Sequence, residues 1–313
     1  MADASIGAGG SGVRRPCFQL AAAVRIGAGA ALLGASAALV SAQFAPALAA
    51  PIPQMAPASA ALVRPSALLG PWSLRVGPPC PEGMVLARRR STSFCVDRYE
   101  GSLLRVGAQG RVDHWPGNHA IDGLESEMMA VSRPGVRPQG YISGAQANLA
   151  CERAGKRLCS IDEWSTACRG PQSTRYPYGN RRRAGLCNDR FRELTDHPVL
   201  RLFQAEAARG TDPRSMWQPS FMNDPRLLEL PHTVQPTGAA RECTNEYGAF
   251  DMVGNLHEWV SDPHGVFAGG YFMDTMQNGQ GCEYRTRAHR FDYHDYSTGF
   301  RCCVDAPPEK GFL

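Results

Sequence analysis

Strong charge is the first thing this chain lacks. Across 313 residues, 33 Lys and Arg face 29 Asp and Glu, a net of +4, and 20% of residues are charged. That balance excludes a polyelectrolyte built to grip nucleic acid. The arginine runs in "LARRRS" (86–91) and "GNRRRAG" (179–185) are short and carry no interleaved aromatics. They read as solvated loops rather than as a nucleic-acid surface. No pair of C-x-x-C units is present, which argues against a zinc cluster. No internal repeat and no coiled-coil heptad is visible. Beyond residue 171 even ordinary periodicity thins out, as turn-rich stretches such as "RYPYGNRRRAGLCND" and "MNDPRLLELPHTVQPTG" alternate with short strand-like runs. A chain this long with so little repeating structure needs other means of cohesion: disulfides, buried aromatics or bound metal.

What is present begins with a distinct N-terminus. Arg14 and Arg15 precede the uncharged stretch "IGAGAALLGASAALVSAQFAPALAA" (26–50), which closes on the small-residue pattern Ala47-Leu48-Ala49. A basic start, an apolar middle and an A-x-A finish predict an export signal over residues 1–50. "VRRPCF" is a loose twin-arginine match. The alternative is a retained anchor, because the stretch is long enough to span a membrane. Arg25 and the many Gly and Ala residues make it a poor span, so we expect cleavage, an exported (periplasmic or secreted) mature chain, and no stable membrane span. Residues 51–79, opening with the Pro- and Ala-rich "PIPQMAPASAALVRPSALLGPW", read as a linker. Of eleven cysteines, Cys17 falls in the signal and ten remain, an even count that in an exported chain predicts a disulfide framework.

The folded domain is expected over residues 80–304, with 305–313 as a tail. Short alternating runs around a polar turn in "CPEGMVLARRRSTSFCVDRYEG" (80–101) predict a hairpin, and Cys80 and Cys95 flank it where a disulfide would close it. Two helices have readable ends. Ser143 can cap "GAQANLACERA" (144–154), with Gly155 as its stop and Ala147, Ala150, Cys151 and Ala154 on one face. Ser160 to Glu163 is a capping box that opens "IDEWSTACR" (161–169), with Gly170 ending it and Trp164 and Cys168 on the buried face.

Chemistry concentrates in the second half. In "NEYGAFDMVGNLHEWVSD" (245–262), Asp251, Asn255 and Glu258 gather oxygens beside Gly254. Hard oxygen donors with exposed carbonyls suit Ca²⁺. A turn in which Asp and Asn bond their own backbone fits the spacing equally well. His257 reads as packing or a surface hydrogen bond. "RTRAHRFDYHDYSTGF" (285–300) brings Arg285, Arg287, His289, Asp292, His294 and Asp295 together, either as ion pairs lining a groove or as a metal site built on the two histidines.

"GKRLCSIDEWSTACRG", "YPYGN", "FDMVGNLHEW", "GGYF" and "TGFRCC" follow one another in this order. Together they resemble the formylglycine-generating enzyme family, also called the sulfatase-modifying-factor domain, over about residues 80–304. The resemblance implies an α+β, disulfide-rich, C-type-lectin-like fold, poor in regular structure and holding calcium. Carried over, one calcium site takes Asp251, the carbonyls of Gly254 and Leu256, and Glu258. The other takes Asn188, the carbonyl of Asp189, Asp224 and the carbonyl of Arg226, across a longer insertion at 190–222. It also implies a disulfide from Cys151 to Cys302, whose long loop is worth about 4–5 kcal/mol in a chain-entropy estimate.

In the active family enzyme the stretch after Gly-Gly carries two cysteines that hold Cu(I) as thiolates, and O₂ then oxidises a substrate cysteine. Here "GGYFMDTMQNGQGCEYRTRA" (269–288) has one cysteine. Asp274 stands at the first position, and the second aligns with Gly281, or with Cys282 if the loop slides by one. Aspartate is a poor Cu(I) ligand, so copper is not expected, and the even cysteine count puts Cys282 in a disulfide. The groove candidates are Asp274, Cys282, Arg285, Arg287 and His289. Three functions follow: a member without formylglycine chemistry that binds a peptide, glycan or small ligand or catalyses another oxidation; a divergent formylglycine-generating oxidase; or a lectin-like structural or adhesion module.

Overall fold

A computed structural model describes residues 79–190, 193–204 and 216–307. The export signal, nearly all of the linker and most of the tail lie outside these residues, as does Cys17. The alternating apolar pattern near residue 84 forms a hairpin: β1 (Met84–Arg89) pairs antiparallel with β2 (Thr92–Asp97), Arg89 facing Thr92 across a two-residue turn. A disulfide joins Cys80 to Cys95 at the hairpin's open end.

The last strand among the described residues completes this first sheet. β11 (Cys302–Asp305) pairs with β2 on one side and with β6 (Arg157–Leu158) on the other, giving the order β1-β2-β11-β6. Successive residues of a strand face opposite sides, so the neighbours Cys302 and Cys303 serve two different cores. Cys302 bonds Cys151 among Leu103, Ile142, Trp259 and Phe300, while Cys303 bonds Cys159 among Val85, Phe94, Trp164 and Val260. One strand therefore staples both halves of the interior. The remaining two disulfides are Cys168–Cys282 and Cys187–Cys243.

Two smaller sheets flank the first. β3 (Gly101–Val106) lies between β4 (Val112–His114) and β5 (Met128–Ser132). β7 (His257–Trp259) runs parallel to β10 (Thr298–Phe300) and antiparallel to β8 (Phe267–Ala268), which in turn pairs with β9 (Arg285–Thr286). These strands are two to six residues long, so side-chain packing and disulfides carry much of the cohesion.

The two helices expected from the sequence end where their caps dictate. α1 (Gly144–Arg153) is opened by a capping box between Ser143 and Gln146, and Gly155 follows it at φ +69°. α2 (Ile161–Arg169) is opened by the Ser160–Glu163 box and stopped by Gly170 at φ +67°. Each cap is worth about 1 kcal/mol. α2 buries Trp164, Ala167 and Cys168, and the last of these holds the helix to the loop at Cys282. The molecule is thus an α+β, disulfide-rich fold with little regular structure, and no helix among the described residues is long and apolar enough to cross a membrane.

Candidate functional site

The junction between β10 and β11 delivers a fully buried arginine, Arg301, into a cluster of acids. Arg301 Nε and Nη2 donate to Glu258 at 2.7 and 2.6 Å, while Nη1 and Nη2 reach the carbonyls of Asp97 and Phe250, both at 2.8 Å. Trp164 Nε1 adds a third donor to Glu258 at 2.7 Å. Glu100 accepts the amide of Leu256 at 3.0 Å and the side chain of Asn255, and Asp251 accepts the amide of Gly238 at 2.6 Å. Asn255 also accepts from Asn188 and from the Gln235 amide, at 2.9 and 2.8 Å. Gly254 must be glycine here: at φ +80° its Cβ would press into the Asn188 carbonyl.

Three buried acids around one guanidinium leave a surplus of negative charge. Burial, followed by repulsion from Asp251 and Glu258, pushes the Glu100 carboxyl well above the ordinary range. Burial pushes Asp251 up to about 6, with the Gly238 amide and Arg301 opposing it. Neighbouring Asp97 is raised by burial despite its 2.6 Å ion pair with Lys156.

The loop of residues 269–288 is built differently from a metal-binding loop. Gly269, at φ +83°, lets the chain pass where a Cβ would meet the Met252 carbonyl at 2.7 Å. Asp274 is buried, and its Oδ1 accepts the amides of Met276 and Gln277 at 2.8 and 3.1 Å while Oδ2 accepts the Tyr284 hydroxyl at 3.0 Å. It is the turn-former of the loop. Cys282 is fully buried, bonded to Cys168, and its amide donates to the Arg175 carbonyl at 2.8 Å. Every cysteine among the described residues is in a disulfide.

The other groove candidates diverge. Arg285 turns to α2, where its Nη2 donates to Ser165 Oγ at 2.7 Å. Arg287 is exposed. His289 stacks on Tyr293 at 3.7 Å, and burial lowers its pKa. His294 instead faces Asp122 and Asn223, at 3.2 and 2.9 Å. Asp295 accepts from Tyr293 and Ser297, and Asp292 pairs with Arg290 on the surface. Among the described residues no three His, Cys, Asp or Glu side chains group as a metal site. His257 is buried against the rings of Phe267, Tyr271 and Tyr284, at 4.5, 4.8 and 5.5 Å. Its Nδ1 has no partner, and burial lowers its pKa to about 3. It is packing rather than a surface hydrogen bond. Sequence reasoning missed Glu100 and Arg301 as members of the acidic cluster; the signal available was the charged residue inside the otherwise apolar "TGFRCC".

The first oxygen set suits a hard cation in chemistry and charge. Its donors are all oxygen, the surrounding acids outnumber Arg301, and Glu258 uses three of about four acceptor positions. A calcium ion there would be held by Asp251, the carbonyls of Gly254 and Leu256, and the remaining lone pair of Glu258. The second set is more committed. Asp224 accepts from the Arg226 side chain through both oxygens, at 2.9 and 2.6 Å, and its carbonyl takes the Tyr141 hydroxyl at 2.6 Å. Arg182 holds Asp189 through the side chain at 3.0 Å and through the carbonyl at 2.7 Å. The Asn188 amide donates to Thr233 and Asn255, both at 2.9 Å.

Comparison with known proteins adds the following. A family described as the sulfatase-modifying factor enzyme 1-like domain matches residues 120–306. The chain is 26% identical over 187 residues to a Bos taurus protein named inactive C-alpha-formylglycine-generating enzyme 2, covering 56% of this chain and 53% of that one. It is 25% identical over 184 residues to the Mus musculus protein of the same name, covering 55% and 51%. The chain therefore spans about half the length of the curated relatives it matches. Among solved structures, PvdO from Pseudomonas aeruginosa superposes with a TM-score of 0.39 at 13% identity, covering 68% of this chain and 80% of that one. CarF superposes with a TM-score of 0.36 at 15% identity, covering 69% and 87%.

Proposed function

The chain belongs to the sulfatase-modifying factor enzyme 1-like family, and from that premise we propose an exported member that does not make formylglycine. It binds a peptide, glycan or small ligand, or catalyses a different oxidation, on the family scaffold. One observation supports this above the others. The loop that the resemblance assigns to copper offers one cysteine, and its sulfur is spent in the buried Cys168–Cys282 disulfide. Cu(I) is held by soft thiolates. A disulfide sulfur is not one, and the Asp274 carboxylate is both hard and occupied by three donors. The mammalian relatives, named as inactive formylglycine-generating enzymes, point the same way.

The remaining parts of the proposal have separate supports. Five disulfides fit an oxidising compartment, and the basic, apolar and Ala-Leu-Ala segments support export with cleavage near Ala50. Surplus buried acid supports calcium at the first oxygen set. A second ion at Asn188, Asp189, Asp224 and Arg226 requires Arg182 and Arg226 to release the oxygens they hold. The test is a thiol count on the mature protein, native and denatured, with and without Cu(I). The proposal expects no reactive thiol and no copper complex. Two reactive thiols or a stable Cu(I) complex would establish the divergent oxidase instead.

A further inference from the structure

The "LARRRS" run is placed by the fold against α2. β1 ends at Arg89, and Arg90 turns the hairpin at φ +53°, a left-handed conformation for which Asn or Gly is the easier choice. The Tyr247 hydroxyl donates to the Arg88 carbonyl at 3.1 Å and fixes this end of the hairpin. Arg88, Arg89 and Arg90 line a cleft of about 350 Å³ together with Asp162, Ser165 and Arg169 of α2.

Arg88 aside, the carboxylates among the described residues do not match the guanidiniums here one for one. Arg89 pairs with Asp162 at 2.8 Å, and Arg169 with Glu283 at 2.9 Å. Glu283 is already shared with Arg175 at 3.6 Å. Arg285, singled out as a groove residue, instead reaches the cleft wall through Ser165. Among the described residues neither Arg90 nor Arg285 has a carboxylate within ion-pair distance. Leaving Arg88 aside, Arg89, Arg90, Arg169 and Arg285 thus meet two acids, Asp162 and Glu283. Guanidinium forks present paired donors at a spacing that matches a tetrahedral oxyanion, and bonds to such an anion are stronger than neutral ones.

We propose that this cleft binds a dianionic tetrahedral oxyanion, the head of a phosphate or sulfate monoester. The inference stands apart from the reading of the 269–288 loop and survives its failure. The test is calorimetric titration of the disulfide-intact protein with inorganic phosphate and, separately, sulfate, at ionic strength held constant with chloride. Saturable one-site binding of either anion is expected, and the stronger of the two identifies the source. Arg90→Gln and Arg285→Gln should each raise Kd about tenfold, a change of about 1.4 kcal/mol. Arg290→Gln, on the surface beside Asp292, should leave Kd unchanged. Failure of both anions to saturate overturns the proposal. So does a Kd that is unchanged in Arg90→Gln and Arg285→Gln while their melting temperatures fall, because the arginines would then serve packing alone.

Discussion

Replacing Arg301 with Met should be the most damaging single change in the acidic cluster, and the structure says why it outranks Glu258→Gln. Arg301 is completely buried and Glu258 is 1% exposed. Removing one partner of a buried ion pair costs about 3–5 kcal/mol. After Glu258→Gln the guanidinium still has the carbonyls of Asp97 and Phe250, and Glu100 and Asp251 remain within electrostatic reach. After Arg301→Met three acids stay buried together, and Glu100 is already pushed up by burial and then by its neighbours' charge. The low end of the range therefore belongs to Glu258→Gln and the high end to Arg301→Met. At about 2–4 °C per kcal/mol for a domain of this size, the expected losses in Tm are roughly 6–12 °C and roughly 10–20 °C. Thermal melts at pH 7 with disulfides intact measure both. A Glu258→Gln loss equal to or greater than that of Arg301→Met, or losses below about 1 kcal/mol in both, would refute the electrostatic argument.

Three further outcomes are expected. Chelation should lower Tm, because a ligand that binds only the native state adds about 2.7 kcal/mol at a hundredfold excess over its Kd; Asp251→Ala should remove the response, and a wild type unmoved by chelator sinks the calcium proposal. His197 is lowered by burial to about 4 from 6.5, and its Nδ1 accepts the Val199 amide, so the native state keeps it neutral. Its contribution is complete above pH 6.5 and is lost as pH falls towards 4, at up to about 1.4 kcal/mol per unit. The wild-type-minus-His197→Gln stability difference should shrink over that window, and a difference flat with pH contradicts it. Asp274→Ala takes the acceptor from the buried Tyr284 hydroxyl and from two loop amides, so urea titration should show a loss of about 1–3 kcal/mol; a neutral result would mean the loop does not depend on that turn.

Features with local signals were legible in the sequence. The hairpin's alternation, the Ser143 cap, the Ser160–Glu163 capping box and the glycine stops each depend on residues within a few positions, and each appears where expected. The sheet of β7 to β10 was not legible, because strands of two or three residues such as Phe267–Ala268 carry no period, and the parallel pairing of His257–Trp259 with Thr298–Phe300 is set across the chain. The same limit applied to the acidic cluster. Glu100 bonds Asn255 across 155 positions, and nothing near either residue announces the other. Arg285 and His289 looked convergent because they are close in sequence, yet strand and loop geometry send one to Ser165 and the other onto Tyr293.

The central claim, a family fold without formylglycine chemistry, is tested most directly by mass spectrometry of a Cys-x-Pro-x-Arg peptide incubated with the protein, copper and O₂. No aldehyde is predicted for the wild type. None is predicted for Asp274→Cys, which adds one sulfur while Cys282 remains bonded to Cys168. Copper-dependent aldehyde formation that persists in Asp274→Ala and disappears in Cys282→Ser would contradict the account.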